Sequence, residues 1–165
     1  MFGRWRFSMF FLLLLGCDIP FFKNDLPFIL DVEKVEINNI QVFDEWGGWQ
    51  GDGFTLEVYR LSEKTIQCFI NKSSKNLPLK KGYQKYNWTK TPIDSSYEEI
   101  FIMCLNYHSY NEKIELQLNK IKELIKKKEI YYSFYYKPDK NNPQNVQFFI
   151  LDTQKGTLYV IDQQI

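Results

Sequence analysis

Between Ile130 and Asp162 the chain contains three runs rich in aromatic and β-branched residues, "IYYSFYYK", "VQFFIL" and "TLYVID". "PDKNNPQN" and "DTQKG" separate them. Such runs suit a pleated sheet, and Pro, Asn, Asp and Gly are the residues that turn a chain between strands. The pattern predicts three consecutive strands in an antiparallel meander. Any fold for this chain has to build on that sheet.

Upstream, Val35 and Ile37 keep one parity and Ile40 and Val42 the other, so a strand over 32–43 needs a bulge at Asn38-Asn39. The glycine-dense "DEWGGWQGDG" follows and then a second strand, Phe54 to Leu61, which predicts a hairpin with a long loop. Ser62 is placed to cap a short helix carrying Ile66, Phe69 and Ile70 on one face, and Tyr83 to Thr89 reads as a strand. Ser95 with Glu98 makes a capping box before Tyr97, Ile100, Phe101, Cys104 and Leu105 at helical spacing, although "EIFIMCL" also fits a strand. The clearest helix starts at Asn111. Ile114, Leu118, Ile121 and Ile125 form its stripe, Glu112 and Glu115 its first turn, and Lys126 to Lys128 its expected last turn, an order that complements the helix dipole.

These elements predict an α+β fold: a single antiparallel sheet of five to six strands with two to three helices on one face. Residues 31–165 are expected to form one domain. Residues 17–30, with two prolines and no steady period, read as an extended tether able to fold back onto it.

Arg4 and Arg6 open the chain and an apolar run from Phe7 to Leu15 follows, less than half of the roughly 20 residues a membrane-spanning helix needs. It matches the core of a signal peptide, here residues 1–16. Leu14-Leu15-Gly16-Cys17 resembles the lipobox of bacterial lipoproteins. That resemblance implies cleavage before Cys17, acylation of its thiol and amino group, and stable attachment to the cell membrane facing the periplasm. Asp18 resembles the inner-membrane retention signal of enteric lipoproteins.

The chain has 21 basic and 20 acidic residues, and without the signal it is close to neutral. A nucleic-acid partner calls for a basic excess or stripe, and neither is present. Cys68 and Cys104 remain as an even pair in an oxidising compartment, either bridged or packed as thiols. A bridge would contribute about 2–4 kcal/mol.

The only histidine, His108, follows Cys104 by four positions, the spacing at which a thiol and an imidazole on one helix could meet. Gly47, Gly48, Gly51 and Gly53 lack the Lys-Ser/Thr and following helix of a phosphate loop, and Asp44, Glu45 and Asp52 lack the alternate spacing of a calcium loop. No cofactor or metal is implied. Two candidate contact surfaces remain. Trp46 and Trp49 either engage a partner or fold back over the core, and Tyr131 and Tyr135 either form an exposed phenol patch or lie under helices. The expected activity is protein binding at the envelope, for example as an immunity-type inhibitor of an envelope-acting toxin. The alternatives are a small hydrolase using Cys104 and His108, or a scaffold component of an envelope complex.

Overall fold

The computed structural model describes residues 20–46 and 52–165. Among them the strands are β1 (Ile37–Asp44), β2 (Gly53–Leu61), β3 (Gln84–Lys90), β4 (Tyr131–Pro138), β5 (Pro143–Asp152) and β6 (Thr157–Gln164). The helices are α1 (Leu26–Ile29), α2 (Glu63–Ile70), α3 (Glu98–Leu105) and α4 (Glu112–Leu124). The strands make one antiparallel sheet in the order β1-β2-β6-β5-β4-β3, an α+β fold.

The meander β4-β5-β6 forms the centre, and the β1-β2 hairpin adds to it through β2 and β6. The register of β1 slips between Ile37 and Asn39, where the change of parity required a bulge. The turn into β6 depends on Gly156, whose φ of 61° is one that side-chain-bearing residues avoid; an added Cβ would also lie 3.1 Å from the Leu61 carbonyl.

Local capping follows the sequence at two helices. Ser62 accepts from the Thr65 N–H at 3.2 Å and Asn111 from the Lys113 N–H at 3.0 Å, each cap contributing about 1 kcal/mol. At α3 the cap differs from the expected box. Asp94 accepts from Ser96 N–H at 2.9 Å and starts a 3₁₀ turn over Ser95–Tyr97 that leads into the helix. The α4 helix ends at Leu124, so Lys126 to Lys128 follow the helix instead of forming its last turn.

The helices cover both faces of the sheet, not one as expected. On the first face, α3 and α4 bury Ile100, Phe101, Cys104, Ile114, Leu118 and Ile121 against Leu56, Tyr132, Phe134, Phe148 and Ile161. Phe101 meets Phe148 edge-on at 5.3 Å between centroids, and each such ring contributes about 1.5–3 kcal/mol by leaving water. On the second face, α1 and α2 bury Leu26, Ile29, Ile66 and Phe69 against Tyr59, Leu61, Phe149, Leu151, Leu158 and Val160.

Of the segment expected to be a tether, the described residues 20–30 are therefore part of the domain. Leu26 and Leu30 are fully enclosed, Phe22 meets Phe149 edge-on, and the Trp88 indole N–H donates to the Ile29 carbonyl at 3.0 Å. The reason is chemical: "PFFKNDLPFIL" holds enough apolar side chains to fill the second face, and its prolines only set the turns that deliver them.

Candidate functional site

Directly paired strand residues share a face, so the registers place side chains across the whole sheet. On the second face the pairing Thr55–Asp162–Gln147–Tyr135 draws a line from β2 to β4, and Gln164–Asn145–Lys137 runs beside it. This half of the face is polar. The other half, Leu61, Leu158 and Leu151 with their neighbours, is the apolar floor under α1 and α2.

A cleft of about 500 Å³ opens over the polar half, lined by Phe21, Asp25, Trp46, Thr55, Lys80, Gln147 and Asp162. The Lys80 ammonium donates to the Gln147 carbonyl oxygen, and Gln147 Nε2 donates in turn to Asp162 Oδ2 at 3.3 Å. Asp162 Oδ1 is buried and has no hydrogen-bond partner among the described residues. Burial pushes the Asp162 carboxyl above the ordinary carboxylate range, and it pulls the Lys80 ammonium below the ordinary lysine value. The Lys80 head also lies 4.7 Å from the centre of the Tyr83 ring, which offsets part of its lost hydration.

Below the rim, fully buried Glu57 accepts hydrogen bonds from the backbone N–H groups of Phe21 and Phe22 and from the Tyr59 hydroxyl. Its pKa is raised, chiefly by burial, while these donors act in the opposite direction. This carboxylate fixes residues 21–22 to β2.

Trp46 forms the outer rim. It is 41 % exposed, its backbone N–H is held by Asp44 at 2.9 Å, and its ring lies so close over Gly53 that an added Cβ there would sit 2.3 Å away. The hairpin end is braced from the first face as well, because Glu45 accepts from Tyr107 Oη at 2.8 Å and Ser109 Oγ at 2.6 Å. Asp44 and Glu45 thus brace the hairpin end through these hydrogen bonds. Trp49, like Cys17, lies outside the described residues.

The remaining candidates are dispersed. Tyr135 is 2 % exposed with its hydroxyl donating to the Pro78 carbonyl, and half-buried Tyr131 packs edge-on against Phe69 of α2, so helices and loops cover the phenol patch. Cys68 is exposed on α2 and Cys104 is buried under α3 on the opposite face. Both are free thiols, and the sheet between them explains why they do not bridge. The α3 helix ends at Leu105, which leaves His108 exposed beyond it while burial holds the Cys104 thiol well above its ordinary pKa. The two therefore lie in different settings, one thiol buried and one imidazole exposed.

Thr55, Gln147 and Asp162 escaped the sequence reading because polar residues alternating with apolar ones look like a solvated strand face, and Lys80 because it lies in a loop with no period. A signal was present in "QNVQFFIL", where the parity of Asn145 and Gln147 turns apolar at Phe149 and Leu151. A face that changes character halfway is covered in one half and open in the other.

No protein-family model, curated protein or solved structure matches this chain. No helix among the described residues is long and apolar enough to cross a membrane, and none of their His, Cys, Asp and Glu side chains gather in groups of three or more able to hold a metal.

Proposed function

We propose that this chain is a lipid-anchored envelope protein, attached through Cys17, that acts by binding a protein partner at the Trp46 cleft. The observation that carries the reading is the rim: two large aromatic side chains, Phe21 at 60 % and Trp46 at 41 % exposure, flank an opening whose floor holds a lysine and a carboxylate. Exposed aromatics beside a partly desolvated polar floor are what a protein interface uses for affinity and for register, respectively. An immunity-type role, in which the cleft occupies a toxin surface and blocks it, fits this chemistry. The burial of Cys104 and the exposure of His108 beyond α3 favour the binding reading over a hydrolase built on that pair.

The test is site-specific photocrosslinking in cells, with the crosslinker at Trp46 and, as a control, at exposed Lys126 on the opposite face. One discrete adduct from position 46, lost when Asp162→Asn and Lys80→Ala are added, supports the reading. Equal adducts from both positions, or none from position 46, would overturn it.

A further inference from the structure

We infer that the edge of the domain carrying Pro20 and Phe21 rests on the bilayer, so that the cleft opens at the membrane surface; this rests on the anchoring of Cys17 proposed above. The argument is one of length. Cys17 precedes Pro20 by three positions, and three Cα–Cα steps span at most about 11 Å. Beyond Pro20 no slack remains, because Glu57 holds the Phe21 and Phe22 backbone and Leu26 lies fully enclosed in the core. An acylated Cys17 at the level of the lipid glycerol therefore keeps Pro20 within the headgroup layer or just above it.

The surface around that point suits such a location. Pro20 lines a groove of about 660 Å³ with Lys23, Lys113 and Leu116, beside β1 at the edge of the sheet. Phe21 borders the cleft with Trp46. Phe21, Trp46 and Leu116 are large exposed apolar side chains, the last 55 % exposed, and two lysines stand among them. Aromatic rings at headgroup depth and lysines beside lipid phosphates are the usual composition of a membrane-contacting face. The opposite edge, β3, lies five strand spacings away, about 24 Å. The occupant of this surface is the bilayer, and a partner entering the cleft is met at the membrane: a membrane-embedded protein or one working at that surface.

The experiment uses the full chain, lipidated in a bacterial host, carrying Cys68→Ser and one fluorescent label at Lys23→Cys or at Lys90→Cys on β3. It is reconstituted into vesicles of phosphatidylethanolamine and phosphatidylglycerol containing headgroup-quencher lipid. Circular dichroism verifies the fold and intact mass the lipid. The expected result is quenching several-fold stronger at position 23 than at position 90. Equal quenching on a chain whose mass carries the lipid would overturn the docking while leaving the anchor intact. A mass without lipid on Cys17 would overturn the anchor and the docking together.

Discussion

The two faces of the sheet are made from the same strands by the same alternation, yet they are finished differently. On the first, α3 and α4 close over Leu56, Phe134, Phe148 and Ile161, and the result is an aromatic core. On the second, α1 and α2 close only half the area, and the other half keeps Thr55, Gln147 and Asp162 under an open cleft. A desolvated carboxylate with an unpartnered oxygen lowers stability, and under the proposed function Asp162 is kept on the cleft floor for recognition. Both faces carry core packing, and only the second keeps an open polar half, the part assigned to recognition under the proposed function.

The sharpest way to break this comparison is to exchange large for small on each side. Phe148→Ala should cost about 3–5 kcal/mol, read as a fall in urea midpoint at constant slope, because the packed neighbours relax only partly into the space the ring leaves. A much smaller loss would mean that the first face is not a stabilising core. Glu57→Ala comes next. It leaves two backbone N–H groups and the Tyr59 hydroxyl without their acceptor, at about 1–3 kcal/mol, and frees residues 20–23 for proteolysis after Lys23. Unchanged cleavage kinetics would show that Glu57 does not hold that segment.

A subtler effect appears with pH. Glu57 and Asp162 both have raised pKa values, so between the ordinary carboxylate range and those raised values the folded chain binds more protons than the unfolded one. Stability should therefore fall as pH rises through that window. Glu57→Gln and Asp162→Asn should each flatten the slope of urea midpoint against pH. The smallest expected effect on stability is that of Trp46→Ala, within about 0.5 kcal/mol for a rim side chain, read as the urea midpoint. Thiol labelling completes the comparison: Cys68 should react in the folded state and Cys104 only on unfolding.

Much of the architecture was legible because local chemistry specified it. The parity change at Asn38-Asn39 announced the bulge, Ser62 and Asn111 announced their helices, and the turn residues announced the meander. What covers each face was not legible, since a period of two tells which residues share a side but not what is packed against it. Tyr135 illustrates this: its strand position follows from the alternation, whereas its burial depends on distant segments, the Pro78 carbonyl and the Tyr83 ring. Residues 20–30 read as part of a tether able to fold back, and their packing into the core was not legible because a four-residue helix is too short to show a period. The cleft was hidden for a related reason: the register of β2, β5 and β6 aligns Thr55, Asp162 and Gln147, while Lys80 and Trp46 reach them from two distant loops.

The most direct test of the division between the faces is the urea midpoint of Asp162→Asn at a pH above the raised carboxyl value. Relief of a buried charge held for binding predicts a midpoint at or above that of the parent chain, with an unchanged slope and loss of the Trp46 crosslink. A midpoint lower by the equivalent of more than about 1 kcal/mol would show that Asp162 supports the fold, and would contradict the assignment of the second face to recognition.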